Sequence, residues 1–394
     1  MEIQYIWRLE KIEAVLNIWL PERPDSSWLE MVFGSGDISV SPGELVSPEL
    51  AASLTRPGRD LLDRGGKRWR PLLMVLAAEC IAGEAGADAV LPLTPLVEIP
   101  HNASLIHDDI EDNSDERRGK PAVHLLYGTD TAINAGSFMY FLPTACLSAW
   151  AAEKKSGVLG KASSPFEVLY ERIWTVWVSH MRALHLGQAM DIAWHRDFLS
   201  LPGLDEYDRM CRLKTGYLAR LAAVLGVLCS GVTLPDFTED LPPEFSANAV
   251  DRKIAVLDAL AEAFGEAAVQ LGVGFQILDD VKNLGTGVPG KKRGDDIVEG
   301  KKSLPVLLYL HRYPEKRDFA ARCFTAARTK GTEAPEVEEF IGALEETGVL
   351  KEARDKGLEY IRSSREVFSS PDISGFSFNR EGLELLAGLV DMIG

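Results

Sequence analysis

Apolar residues recur at intervals of three and four along most of the chain, as they do on one face of a helix. Leu72, Val75 and Leu76 follow this spacing in one segment, and Leu257 and Leu260 follow it in another. The alternation of apolar and polar residues that is typical of strands is almost absent. The pattern predicts an all-α protein with helices over about 70–83, 88–112, 130–151, 165–195, 205–231 and 249–283, followed by shorter ones.

Glycine, proline and serine gather between these helices, where they mark loops. The loops are predicted at 34–48, 153–165, 234–246, 285–294 and 369–376. No loop separates regions of clearly different composition, and no repeat of roughly 20 to 50 residues is visible. We therefore expect one helical domain over 46–394 and a helical N-terminal extension over 1–45, whose Trp7, Trp19 and Trp28 pack against it.

Charge and cysteine content narrow the class of protein. The net charge of −17 argues against a nucleic-acid-binding protein, because binding to the phosphate backbone needs a clustered excess of lysine and arginine. The apolar stretches fall short of the roughly 20 residues that span a bilayer, and charges spread through residues 1–20 argue against a secretory signal. The five cysteines lack the paired spacing of zinc ligands and are typical of buried thiols in a reducing compartment. We expect a cytoplasmic protein without a membrane span.

An acidic cluster ends the predicted helix over 88–112. Asp108, Asp109, Glu111 and Asp112 fall within five positions. Asp108 and Asp112 are four residues apart, on one helical face, where like charges destabilise a helix by about 0.2–0.5 kcal/mol. They also oppose the helix dipole. A solvated helix end is the ordinary explanation for one such run of acids.

The pattern occurs a second time, and the repetition favours a metal site. Asp279 and Asp280 end the predicted helix over 249–283, and Asn283 adds an oxygen four residues after Asp279. Magnesium is usually bound by one or two carboxylates together with substrate phosphates. Softer metals lack their ligands, since neither cluster contains cysteine. Two facing clusters would hold Mg²⁺ against a diphosphate.

Basic segments accompany both acidic clusters. GGKRWRP at 65–71 places three cations at a predicted helix start, where free backbone N–H groups favour an anion. ERRGKP at 116–121 follows the first acidic cluster, a lysine-rich loop at 290–302 follows the second, and KTG at 214–216 interrupts the helix over 205–231. Each segment alone is compatible with solvated surface, but together they indicate two anion sites beside a metal site.

Six segments in this order resemble the trans-isoprenyl diphosphate synthases, or polyprenyl synthetase family, and most of all the geranylgeranyl diphosphate synthases. They are GGKRWRP, HNASLIHDDIEDNSDERRGKP, GQAMD, KTG, FQILDDVKN and GKKRGDDIVEGKKSLP, between about residues 60 and 310. The resemblance implies one large helical bundle of the isoprenoid synthase type around a central active-site cavity, and a homodimer. It also implies a Mg²⁺-dependent transfer of an allylic group, from farnesyl or geranyl diphosphate, to isopentenyl diphosphate with release of diphosphate.

The resemblance implies roles for individual residues. Asp108 and Asp112 would bind two Mg²⁺ ions with support from Asp109, and Asp279 would hold a third. The residues implied to contact the allylic diphosphate are Arg117, Lys214, Lys291 and Lys301, with Gln276 nearby, and Thr215 is a further substrate-binding residue. Those implied to contact isopentenyl diphosphate are Lys67, Arg70, His101 and Arg118. Two departures matter. Asn283 stands where many members carry a third aspartate, which weakens metal ligation there, and the adjacent Lys292 leaves the assignment of Lys291 a choice.

The helix before Asp108 bears on product length. One helical turn rises about 5.4 Å, close to the extension of one isoprene unit, so Ala103 and Ser104 should meet the growing tail first. Bulky aromatics stand there in farnesyl-making relatives, so the small side chains predict an all-trans product of C20 or longer, with C25 and above left open. The stop could come from Pro100 or from the run 138–141, although an aromatic run is more often plain core.

Two other functions remain open from the sequence. A terpene cyclase also ionises allylic diphosphates with Mg²⁺, but it has no use for Lys67, Arg70 and Arg118. A non-catalytic subunit of a heteromeric synthase is expected to have lost acidic or basic residues, and here only Asn283 departs from the pattern.

Overall fold

A computed structural model describes residues 3–34, 46–155, 165–233, 246–287, 292–371 and 376–394. The helices of the N-terminal half are α1 (Ile6–Trp19), α2 (Ser26–Phe33), α3 (Pro48–Asp63), α4 (Trp69–Val90), α5 (Pro95–Glu111), α6 (Val123–Tyr127), α7 (Thr129–Lys155) and α8 (Pro165–Arg196). Those that follow are α9 (Leu204–Cys211), α10 (Tyr217–Ser230), α11 (Ser246–Gly285), α12 (Asp295–Glu299), α13 (Leu304–Arg312), α14 (Arg317–Lys330), α15 (Pro335–Glu346), α16 (Val349–Ser369) and α17 (Arg380–Ile393).

Shorter elements connect these helices. A π-helix covers Arg212–Gly216, and 3₁₀ turns cover Ile3–Tyr5, Leu91–Leu93, Gly231–Thr233, Pro314–Lys316 and Gly331–Glu333. Among the described residues the only strands are β1 (Glu116–Arg117) and β2 (Lys120–Pro121), which pair antiparallel. The all-α prediction is confirmed.

Each predicted helix range corresponds to observed helix except around residue 90, whereas α3 and α6 were not predicted. The sequence placed a break between 83 and 88, whereas α4 continues to Val90 through a kink at Ala82 and Gly83. The break falls at 91–94, and Pro95 begins α5. Proline suits the first helical position, because its missing N–H has no helical partner there and its φ is already helical.

The Cα positions divide into two compact units. The first comprises Met1–Trp177, Leu221–Glu262 and Ile373–Leu386. Its core includes α4, in which every residue from Leu72 to Ala78 is buried. The N-terminal residues join this core, because the Tyr5 hydroxyl donates to the backbone oxygen of Leu385 at 2.8 Å.

The three N-terminal tryptophans differ in their surroundings. Trp19 and Trp28 are buried, and Trp28 packs edge-on against Phe138 of α7, with ring centroids 6.3 Å apart. Trp7 is only partly buried, with the guanidinium of Arg8 4.3 Å from its ring centroid. The proposed division at residue 45 stays a prediction.

The second unit comprises Val178–Arg220, Ala263–Asp372 and Ala387–Gly394. One apolar cluster gathers Phe324 and Phe340 with Tyr309, which packs edge-on against Phe340. A second cluster lines α11 with Val273 and Ile277. This second cluster supports the part of α11 that carries the second acidic cluster.

One stretch of the described chain, Leu204–Thr233, is long and apolar enough by length and composition to cross a membrane. This differs from the expectation that every apolar stretch is too short to span a bilayer. However, 83% of its most apolar window is buried inside the protein, as in the core helix of a soluble protein. The five cysteines are all buried free thiols, as predicted.

Candidate active site

The first acidic cluster lies where α5 ends. The backbone N–H of Asp112 donates to the backbone oxygen of Asp108 at 2.9 Å, so the two residues are one helical turn apart on the same face. Asp109 is fully buried and accepts a hydrogen bond from Arg117 Nε at 2.7 Å. Arg117 also lies 3.6 Å from Asp108 Oδ2. The charge of Asp109 is therefore compensated within the protein, while Asp108 and Asp112 occupy a partly exposed face.

A basic cluster lies one to two turns earlier along α5. Arg70 Nη1 is 3.2 Å from His101 Nε2. Burial and the neighbouring guanidinium groups of Arg70, Arg118, Arg68 and Arg117 lower the pKa of His101 well below its ordinary value. His101 is therefore neutral at physiological pH, with Nε2 accepting from Arg70 and the ring proton on Nδ1.

Arg118 belongs to the same cluster. Its Nη1 donates to the backbone oxygens of Leu61 and Gly65 at 3.0 and 2.5 Å and lies 3.4 Å from Asn102 Oδ1. Burial, together with repulsion from other arginines, lowers the pKa of Arg118 to about 10. The group stays charged at neutral pH, so a bound anion would relieve its repulsion with the neighbouring guanidinium groups.

A buried glutamate partly balances this charge. Glu98 accepts from Arg68 Nη1 at 3.3 Å and from Asn102 Nδ2 at 3.0 Å. Its burial raises the pKa of its carboxyl group. Lys67 stands exposed at the turn before α4. With His101 neutral, the cluster keeps an excess of positive charge suited to a diphosphate.

The KTG segment forms the π-helix at Arg212–Gly216, where the sequence indicated an interrupted helix. Two glycines let neighbouring helices approach it. A Cβ at Gly187 would lie 2.4 Å from the backbone nitrogen of Lys214, and one at Gly272 would lie 2.7 Å from the Cα of Gly216. Single π turns inside helices are frequent at functional sites. Lys214 Nζ donates to Asp191 Oδ2 at 2.5 Å, so Asp191 fixes the direction of this lysine.

A chain of side-chain hydrogen bonds connects the π-helix to the second acidic cluster. Thr215 Oγ1 donates to Gln276 Oε1 at 2.9 Å, and Gln276 Nε2 donates to Asp280 Oδ1 at 2.8 Å. The hydroxyl of Tyr207 donates to the other oxygen of Asp280 at 3.0 Å. Burial and the charges of Asp296 and Asp279 raise the pKa of Asp280 to about 8. Asp280 is therefore turned inward, and Asp279 is the partly exposed member of the pair.

Asn283 does not extend this cluster toward a metal. It is buried, and its Oδ1 accepts from the backbone N–H of Asp296 at 3.2 Å, while its Nδ2 lies 3.5 Å from the backbone oxygen of Lys292. An amide can accept and donate at once, which a carboxylate cannot do. Asn283 therefore holds the following loop.

The lysine-rich loop is described only in part. Lys301 forms an ion pair with Glu299 and lies 3.9 Å from Asp296 Oδ1. Lys291 lies outside the described residues.

The donor set fits a hard cation that shares its coordination with a ligand. Within the described ranges no group of three or more His, Cys, Asp or Glu side chains is close enough to hold a metal by itself. Asp108, Asp112 and Asp279 offer only carboxylate oxygens on partly exposed faces. Magnesium accepts such sites, because it keeps several waters or phosphate oxygens as ligands.

The residues expected to bear on chain length lie in different environments. Ala103 is fully buried, and Ser104 is partly buried with its hydroxyl donating to the backbone oxygen of His101 at 2.8 Å. In the aromatic run, Phe138 stacks on Phe33 at 5.9 Å and Phe141 is 70% exposed. Tyr140 lies near the aspartate end of α5, with its ring 5.6 Å from that of His107.

Several contributors were not singled out from the sequence. Asp191 stands in the GQAMD segment, so the segment itself was the signal for it. Glu98 and Tyr207 gave no signal, because a carboxylate or an aromatic at helical spacing is ordinarily surface or core. Their role comes from long-range contacts such as Tyr207 with Asp280, 73 residues apart.

Comparisons with known proteins agree with the resemblance. The profile of the polyprenyl synthetase family matches residues 51–341. The geranylgeranyl diphosphate synthase of Methanosarcina mazei is 30% identical over 337 residues, covering 84% of this chain and 88% of that protein. The geranylfarnesyl diphosphate synthase of Aeropyrum pernix is 28% identical, covering 84% and 91%. A polyprenyl synthase structure from Caulobacter crescentus, complexed with calcium and isoprenyl diphosphate, superposes with a TM-score of 0.66 at 23% identity, covering 98% and 95%. The chain therefore belongs to the polyprenyl synthetase family.

Proposed function

We propose that this protein is a trans-prenyl transferase that joins an allylic diphosphate, farnesyl or geranyl, to isopentenyl diphosphate and makes an all-trans product of C20 or longer. The observation that carries this proposal is the arrangement along α5. Asp108 and Asp112 share a partly exposed face at its end, and the cluster of Arg70, His101 and Arg118 lies one to two turns earlier. Relatives that make geranylgeranyl and geranylfarnesyl diphosphates support the substrate class and the product length.

Mg²⁺ is the proposed cofactor, with three ions. Asp108 and Asp112 would hold two of them and Asp279 the third, with Asp109 supporting the first cluster through Arg117. Bound Mg²⁺ supplies Lewis-acid stabilisation of the negative charge that develops on the departing diphosphate. Calcium in the related structure supports a divalent ion.

The basic residues divide between the two substrates. Arg117, Lys214, Thr215, Gln276, Lys291 and Lys301 would bind the allylic diphosphate. Lys67, Arg70, His101 and Arg118 would bind isopentenyl diphosphate. Because the Arg70 guanidinium donates to His101, the neutral ring still has its Nδ1–H as a donor. Asp191 keeps Lys214 extended in one direction.

The reaction needs no nucleophilic side chain. The allylic C–O bond breaks and leaves an allylic cation, the double bond of isopentenyl diphosphate attacks it, and a proton passes to the departing diphosphate. Apolar surroundings keep water from the cation. The small side chains of Ala103 and Ser104 are the proposed reason that the tail can grow beyond farnesyl.

A homodimer is part of this proposal. Leu125, Leu126, Ile133 and Phe141 of α6 and α7 are 46% to 70% exposed, and such apolar groups are suited to a subunit contact. Light scattering on the purified protein would test the oligomeric state. A cytoplasmic location is proposed because the five cysteines are buried free thiols.

The test is an assay of the purified protein with isopentenyl and farnesyl diphosphates, with Mg²⁺ or with a chelator, and separation of products by carbon number. We expect Mg²⁺-dependent product of C20 or longer. A cyclised hydrocarbon from farnesyl diphosphate alone would indicate a terpene cyclase. Absence of any product from the purified protein, with activity only after another subunit is added, would indicate a non-catalytic subunit.

A further inference from the structure

The hairpin after the first acidic cluster presents two adjacent arginines to different surroundings. Glu116 pairs with Pro121 and Arg117 with Lys120, so Arg118 and Gly119 form a two-residue turn. Both turn residues have positive φ, 53° and 75°, as a type I′ turn requires. Arg117 consequently reaches Asp109, while Arg118 reaches Asn102 beside the basic cluster of Arg70 and His101.

Such a short hairpin has little stability of its own, since isolated two-stranded hairpins are marginal even when longer. Its base is closed by one hydrogen bond, from the Ala122 N–H to the Asp115 backbone oxygen at 2.9 Å. The direction of its two arginines must therefore be fixed from outside.

Arg117 is held by Asp109, and Arg118 by the backbone oxygens of Leu61 and Gly65. Arg64, at the end of α3, adds a contact to the hairpin backbone itself. Its Nη1 donates to the backbone oxygen of Arg117 at 3.0 Å and to that of Pro121 at 2.9 Å, one on each strand. The rest of its guanidinium is held by Asp60, with Nε 3.1 Å from Oδ2. The Arg64 side chain is fully buried, although the backbone oxygen that it reaches on Pro121 lies at the surface. One nitrogen thus connects both strands to α3.

We propose that Arg64 is a positioning residue that holds the hairpin so that Arg117 and Arg118 serve the two diphosphates at the same time. This inference rests on the proposed function. Arg64 acts through backbone oxygens and touches neither substrate. Loss of Arg64 is therefore expected to weaken the binding of both substrates together. Loss of Arg117 or Arg118 alone is expected to weaken the binding of one substrate.

The test compares Arg64→Met with Arg56→Met, which removes an exposed arginine from the same helix. We expect KM to rise about tenfold for both substrates in Arg64→Met, with kcat changed by less than about threefold, and no change in Arg56→Met. If Arg64→Met does not fold, Arg64→Lys keeps the charge but not the forked geometry, and we expect a rise of about threefold in both KM values.

A double-mutant cycle separates positioning from a general loss of stability. Arg118→Ala removes the isopentenyl diphosphate contact, so adding Arg64→Met should raise that KM by less than about twofold further. Additive losses, or unchanged KM values in the Arg64 variants of an active wild type, would overturn the role of Arg64. An inactive wild type would instead count against the proposed function itself.

Discussion

The side chain of Asn283 accepts a hydrogen bond from the backbone N–H of Asp296, at an oxygen to nitrogen distance of 3.2 Å. This contact joins the end of α11 to the start of α12. The resemblance indicates that many family members carry a third aspartate at this position, but here the side chain is an amide that points at the loop. Asp279 is then left as the partly exposed acid of the second cluster.

Replacing Asn283 by aspartate should therefore lower stability without raising activity. A carboxylate cannot donate to the Lys292 backbone oxygen, and it would add a buried charge near Asp280 and Asp296. We expect Asn283→Asp to lower the free energy of unfolding by about 1–3 kcal/mol, measured by urea denaturation. Asn17→Asp makes the same change at an exposed position of α1 and is the control. An increase in kcat would show that the position ligates metal after all.

Asp108 should be required for turnover. Its loss removes a proposed Mg²⁺ ligand, so Asp108→Ala should lower kcat by at least about 100-fold in a steady-state assay. Asp115→Ala changes an exposed acid just beyond the cluster and should leave kcat within about twofold. Near-normal turnover of Asp108→Ala would remove this residue from the metal site.

Ala103 and Ser104 should control product length. Ala103→Phe fills the helix face one turn before Asp108, and chromatography of the products should show shorter chains. Because overpacking a buried site costs about 1–3 kcal/mol, the partly buried Ser104→Phe is the companion variant. Leu50→Ala alters an exposed side chain at the start of α3 and should not change chain length. Unchanged products in both phenylalanine variants would place the stop elsewhere.

Lys302 should give the protein a measurable pH dependence of stability. Its side chain is buried, and Nζ lies 4.6 Å from the ring centroid of Phe324 and donates to the Gly300 backbone oxygen at 3.2 Å. Burial, helped by the charge of Arg328 and opposed by Asp197 and Asp191, lowers the pKa of Lys302 from its ordinary 10.5 to about 8. Between these values the unfolded chain binds a proton that the folded protein does not, so rising pH favours folding there.

The pH dependence of stability that Lys302 contributes is measured by comparing wild type with Lys302→Met in urea denaturation from pH 7 to 10.5. The stability of wild type relative to the variant should rise across this range by up to about 3 kcal/mol. Lys316→Met, at an exposed position, should show no such trend. A flat difference for Lys302→Met would mean that the buried lysine keeps its ordinary pKa.

The sequence predicted the long helices because apolar periodicity persists through each of them. It also indicated a metal site at the acidic clusters, since like charges such as Asp108 and Asp112 at a helix end are unfavourable without a ligand, and this site stays a prediction. It could not predict the orientation of Asn283, whose partner is 13 residues away across a loop. Arg64 was missed because an arginine four residues after Asp60 has the spacing of an ordinary surface ion pair, and its contacts with the hairpin span more than 50 residues.

We propose that both acidic clusters are required for the Mg²⁺-dependent binding of a diphosphate. Calorimetric titration with inorganic diphosphate, with and without Mg²⁺, tests it in wild type, Asp108→Asn, Asp279→Asn and the double variant. We predict that each single substitution weakens the Mg²⁺-dependent binding by at least about tenfold, and that the double loss is smaller than the sum of the two. Mg²⁺-dependent binding that survives intact when either cluster is neutralised would contradict the account.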